Sequence, residues 1–259
     1  MIKLLSANFY RLFRSKAFWG IFVVAAGLSL YPTIINDRYM SENGADLCDP
    51  FWTFGDISFM GFLLSALLGL VIGDEFSSGA VRNKLLSGIP RKMIYLSYFI
   101  VSFIGMTIIH IFSVMLPLII IPLKYDCSFD DVGEFLMYVL FSIVPLASQT
   151  AILLLILCLI RKKAMGTAGL FGVSLLMMIL AMSIAPQLEA AEISPLKELQ
   201  SSAFIERILP EGYFNEIFLV KIYVDDEIFQ MLPPPVTCGI LGVIALTAGM
   251  LIFEKIDLN

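Results

Sequence analysis

The sequence predicts an all-α polytopic membrane protein with six transmembrane helices, an N-terminal interfacial helix and short outer helices before the last span. Three observations carry this. Of 259 residues, 59% are hydrophobic and 15% charged, against roughly 45–50% and about 25% in soluble domains. Six apolar runs, at about 17–35, 56–73, 94–122, 132–160, 164–186 and 234–253, each reach the roughly 17–25 residues a spanning helix needs. The segments between the runs alternate in net charge.

That alternation sets the orientation. With the N-terminus inside, the inner segments hold 12 of the 17 cations: Lys3, Arg11, Arg14, Lys16, Arg82, Lys84, Arg91, Lys92, Arg161, Lys162, Lys163 and Lys255. They hold four of the 22 acids: Asp74, Glu75, Glu254 and Asp257. The inner side therefore carries +8 and the outer side −13, which together give the formal −5. Cations gather on the cytoplasmic side, so both termini are expected there.

Residues 1–16 place Ile2, Leu5, Phe9, Leu12 and Phe13 at roughly helical spacing, with Lys3, Arg11, Arg14 and Lys16 between them. This pattern predicts an amphipathic helix on the inner surface. The next run ends at Tyr31-Pro32 without a small-x-small cleavage site, so no cleaved signal peptide is expected. The third and fourth runs, at about 1.5 Å per residue, exceed a hydrocarbon core of about 30 Å and should tilt or protrude. Pro117 and Pro145 should kink them.

Segment 73–92 carries six charges, Asp74, Glu75, Arg82, Lys84, Arg91 and Lys92. Burying each in a bilayer costs roughly 2.5–3.5 kcal/mol, and all six about 15–20 kcal/mol. The segment must lie in water. Asp74 and Glu75 suit a helix start, and Arg82 and Lys84 a helix end. Phe76, Ala80, Val81 and Leu85 can share an apolar stripe, and Gly88 with Pro90 reads as a stop. One helix over 74–88, docked on a partner or lying as an ordinary loop helix, is the expectation.

Within the runs, Gly61, Ser65, Gly69 and Gly73 recur every four residues. They allow close backbone approach, either to another helix of this chain or across a dimer seam. Gly166, Gly169 and Gly172 form a looser counterpart. Thr107, His110, Ser148 and Gln149 lie mid-span, where polar groups face protein or water. They would serve as interhelical hydrogen bonds or as the lining of a translocation path. Met177, Met178 and Met182 would suit packing or a surface for varied greasy ligands.

The outer segment 187–233 is the one sizeable soluble piece. Ser194-Pro195 reads as an N-cap with Pro at the first helical position. It opens the first of two short amphipathic helices, the second over 213–224, which would lie on or dip into the outer leaflet or else form a small solvated cap. Four Cys without CxxC spacing make neither a disulfide scaffold nor a zinc site. Cys48 and Cys127 fall outside and could pair; Cys158 and Cys238 read as buried thiols. A single His argues against a His-based metal centre, and the acidic net charge against nucleic-acid binding. There is no GxxxxGK[ST] P-loop.

Glu75-x-x-x-Gly79-x-x-Arg82-Asn83-Lys84, then Ser87-Gly88 and Arg91, resembles the first cytoplasmic loop of permease subunits in the type-2 ATP-binding-cassette exporter family. The six-span layout and the ending Phe253-Glu254-Lys255-Ile256-Asp257-Leu258 are similar too. The resemblance implies that Asp74, Glu75, Gly79, Arg82, Asn83, Lys84, Gly88 and Arg91 form a coupling helix seated in a separate ATPase. It implies two ATPase copies, a second permease (identical or homologous) and a bacterial plasma membrane. ATP would be bound by the partner, with no cofactor in this chain. The N-terminal helix would either simply lie on the inner surface or serve as an elbow that also touches the ATPase. The cargo would be amphipathic: a peptide such as a bacteriocin, a drug or a lipid. Two alternatives stand beside this. One is a secondary transporter or membrane sensor with acidic outer loops, although no ionisable pair lies deep in the runs. The other is an intramembrane protease, although the single His has no acidic partner at its depth.

Overall fold

The computed structural model describes residues 1–35, 59–125, 132–160, 163–190 and 234–255. All regular structure among them is helical: α1 (Ile2–Arg14), α2 (Lys16–Ile35), α3 (Met60–Ser77), α4 (Ala80–Leu86), α5 (Arg91–Tyr125), α6 (Val132–Ile160), α7 (Lys163–Ala190) and α8 (Pro234–Lys255). Helices α3, α5, α6 and α8 contain stretches long and apolar enough to cross a membrane, by length and composition. The pair α1–α2, bent by 60°, makes a fifth candidate, and α7 contains a shorter apolar stretch, Lys163–Ile179. The described part of each of the six expected runs therefore falls mainly on a helix. The expected helices within 187–233 and the Cys48–Cys127 pairing lie outside the described residues, although α7 runs on to Ala190.

The bend between α1 and α2 has a local cause. Ser15 leaves the helical region (φ −70°, ψ 128°), and its Oγ accepts the Ala17 N–H at 3.2 Å, a side-chain cap for α2. Pro117 and Pro122 lie inside α5 and Pro145 inside α6, and both helices continue through them.

Helix α3 is the centre of the packing. Leu64, Leu67 and Leu68 are buried against a core that includes Tyr98, Met106 and Ile109 of α5, Leu154 and Leu157 of α6, and Leu170 of α7. In lipid, where tails are as apolar as Leu, such contacts stabilise through close packing rather than removal from water. The small residues make that closeness possible. Ser65 Oγ lies 2.8 Å from Ser174 Oγ and donates to the Leu170 carbonyl at 3.2 Å, and Ser174 Oγ donates to the Gly61 carbonyl at 3.2 Å. A Cβ on Gly69 would overlap the Thr167 side chain. The every-fourth ridge thus seats α7 inside this chain. Gly166 and Gly169 in turn face Leu157 and Ile160 of α6.

One turn of α3, Leu68–Ile72, is π-helical. It lies immediately before Gly73-Asp74-Glu75. Such wide turns occur inside α-helices, frequently at functional sites.

Candidate functional site

The charged segment is not one helix. Helix α3 runs on to Ser77, so Asp74 and Glu75 belong to its end rather than to the start of a docking helix. The break comes at Gly79, whose φ of 72° is left-handed and suits a residue without Cβ. Helix α4 then makes its first turn with Asn83 N–H donating to the Gly79 carbonyl at 3.1 Å. It ends in a Schellman motif: Gly88 has φ 82°, its N–H donates to the Leu85 carbonyl at 2.9 Å, and the Ile89 N–H donates to the Lys84 carbonyl at 3.3 Å. The expected stop at Gly88 is where the chain turns.

The expected apolar stripe packs inward. Val81 is buried, and Phe76 and Leu85 pack on the core. These side chains hold α4 to its own protein and are not a face offered to a partner. The outward face is Arg82, Asn83, Leu86, Ser87 and Gly88, with Leu86 77% exposed at its tip.

Beneath α4 lies a polar cluster. Glu75 is 2% exposed. Arg11 Nη1 reaches its Oε1 at 3.0 Å, and Lys84 Nζ and the Tyr98 hydroxyl both donate to its Oε2. Lys84 Nζ also donates to Asn8 Oδ1 at 2.9 Å and lies 4.8 Å from the centre of the Tyr98 ring. Asn8 Nδ2 donates to Ser97 Oγ at 2.9 Å. Next to it, Asp74 pairs with Lys163 at 2.7 Å and Arg11 at 3.7 Å. Four long helices and α4 meet here: α1 brings Asn8 and Arg11, α3 the two acids, α4 Lys84, α5 Ser97 and Tyr98, and α7 Lys163.

This arrangement can clamp. A buried carboxylate survives only when paired and hydrogen-bonded, and Glu75 receives three donors. Two acids and three cations leave the cluster near charge balance. Among the described residues no group of His, Cys, Asp and Glu could hold a metal ion.

The remaining expected residues fall elsewhere. Arg91 Nη1 donates to the Glu254 carbonyl at 3.0 Å, while Lys92 pairs with the Glu254 carboxylate at 3.0 Å, so both fasten the start of α5 to the end of α8. His110 Nε2 and Ser142 Oγ lie 2.7 Å apart and join α5 to α6, both fully buried. Ser148 and Gln149 are buried on α6, and Ser148 abuts Gly242 of α8. Thr107, partly buried, bonds the Phe103 carbonyl of its own helix at 2.8 Å. His110 makes an interhelical bond, Ser148 sits at a close helix crossing, and Thr107 is satisfied locally.

Sequence reasoning passes over Asn8, Ser97 and Tyr98. Asn8 carries a usable signal, because it stands between Leu4 and Leu12 at successive i+4 steps on the buried face of α1. An amide on an otherwise apolar stripe implies a polar partner inside. Compared with known proteins, the chain matches no protein-family model and no curated protein.

Proposed function

We propose that this chain is the membrane-spanning permease subunit of an ATP-driven exporter of the type-2 ATP-binding-cassette kind. In this reading six helices span a bacterial plasma membrane with both termini in the cytoplasm. Two separate ATPase subunits supply the energy, and the chain works beside a second permease, identical or homologous. The supporting observation is the build of α4: a short helix between α3 and α5, clamped beneath by Glu75 and Lys84, with Arg82, Asn83 and Leu86 exposed at its tip. A displaced tip would move α3, α1 and α5 together, because Arg11 and Tyr98 are both bonded to Glu75. Arg82, Asn83 and Leu86 would contact the ATPase, whereas Glu75 and Lys84 would carry the movement onward. Arg91 would tie that movement to α8. The cargo would be an amphipathic peptide, drug or lipid.

Affinity purification of the full chain from its native membrane tests this. A co-purifying P-loop ATPase that is lost on Arg82→Glu plus Leu86→Glu, with membrane insertion intact, is the expected result. Purification without any nucleotide-hydrolysing companion, or equal recovery with the double variant, would overturn the reading.

A further inference from the structure

The outward half of α1 is divided in a way its buried half does not explain. Leu4, Asn8 and Leu12 face the protein. At about 100° per residue, Ile2 and Phe13 share an arc of about 20° away from them, flanked by Phe9, which packs partly on the core. Lys3 and Arg14 share an adjoining arc of about 20°, and Tyr10 stands between the two arcs. Ile2 is 83% exposed and Tyr10 64%. Lys3, Arg14 and Lys16 have no acidic partner among the described residues. Arg14 instead lies over the Tyr10 ring, 5.7 Å from its centre. Arg14 Nη1 donates to the Tyr10 hydroxyl at 2.5 Å, and Trp19, half exposed, donates Nε1–H to the Phe13 carbonyl at 2.8 Å.

Charge singles out the occupant. The first acid in the chain is Asp37, so residues 1–36 hold four cations, Lys3, Arg11, Arg14 and Lys16, and no acid. One of those cations, Arg11, is committed to Glu75. The other three stay uncompensated among the described residues, beside an apolar arc and two amphipathic aromatics. Such a face has acyl chains on one side and head groups on the other, with Tyr and Trp at the boundary. We infer that the Lys3–Arg14–Lys16 corner, with Tyr10 and Trp19, is a binding surface for anionic phospholipid, selective over zwitterionic lipid. It requires membrane insertion of the chain but not ATP-driven export, so either claim can fail without the other.

The test uses the full chain in nanodiscs or detergent, with phosphatidylglycerol and phosphatidylcholine as probes and retained lipid read by native mass spectrometry. Wild type should retain phosphatidylglycerol preferentially, less so as salt is raised. Arg14→Gln plus Lys16→Gln should lower retention roughly 30-fold, each charge being worth about fivefold at an anionic surface. Arg14→Lys plus Lys16→Arg should keep it, which separates charge from damage to the fold. Arg82→Gln, an exposed cation elsewhere, should leave it unchanged. Equal retention of the two lipids by wild type, or undiminished phosphatidylglycerol retention by the double glutamine variant, would overturn the assignment.

Discussion

Arg11 Nη1 and Glu75 Oε1 meet at 3.0 Å, joining the first helix to the end of α3 through a carboxylate that water scarcely reaches. Removing Glu75 leaves Arg11 and Lys84 facing each other without a counter-charge. Breaking a buried pair costs roughly 3–5 kcal/mol. Because Arg11 is 37% exposed, Glu75→Ala should lie at the low end, near about 3 kcal/mol. Thermal unfolding of the detergent-solubilised chain measures it. In a double-mutant cycle the Arg11→Ala and Glu75→Ala losses should be strongly non-additive; additive losses would mean that the clamp does not couple the two helices.

Gly79 tests the hinge in isolation. Nothing lies within 4 Å of the Cβ it lacks, yet its φ is 72°. The cost of Gly79→Ala is therefore backbone strain, about 1–2 kcal/mol, with no packing component. Gly79→Asn should recover much of it, since Asn tolerates the left-handed region. Limited proteolysis across 77–88 should show faster cleavage in the Ala variant than in the Asn one.

Much of this layout is legible from hydropathy and charge. The runs that fall on α2, α3, α5, α6, α7 and α8 are evident from apolar length alone, and the stop at Gly88 from residue type, whereas the break at Gly79 is not, because a single helix over 74–88 satisfies the same charges and apolar spacing. The ridge Gly61-Ser65-Gly69-Gly73 reads as a close contact but cannot be assigned to a partner helix, because the seat it needs, Thr167 to Ser174, is distant in sequence. Glu75 eludes sequence for a similar reason. Local grammar places an acid at a helix start, but the π turn at Leu68–Ile72 widens α3 and shifts the phase of the residues beyond it, by an amount periodicity cannot supply. Only the fold brings Arg11 and Tyr98 to that carboxylate and makes its burial tolerable.

The last helix crosses its neighbours at two glycines that should respond differently to substitution. A Cβ on Gly249 would overlap the Tyr95 hydroxyl and the ring carbon that bears it; one on Gly242 would stand 2.9 Å from Ser148 Cα, a backbone atom. Either Ala variant should cost about 1–3 kcal/mol through overpacking. Tyr95→Phe should relieve part of the Gly249→Ala loss, whereas no side-chain change at Ser148 should rescue Gly242→Ala. Alone, Tyr95→Phe should be neutral or stabilising, because the buried hydroxyl has no hydrogen-bond partner among the described residues. Melting curves of these variants decide it.

Leu86 reports the side of the membrane on which the loop lies. It is 77% exposed, on the same outward face of α4 as Arg82 and Asn83, and Cys158 and Cys238 are buried. A Leu86→Cys variant, with Cys48 and Cys127 replaced by Ser, offers one reactive thiol. An impermeant maleimide should label it in inverted vesicles and in permeabilised cells but not in intact cells. Labelling from outside would reverse the orientation drawn from the cations, place Arg82 beyond the reach of any cytoplasmic ATPase, and remove the ground for a force-receiving loop.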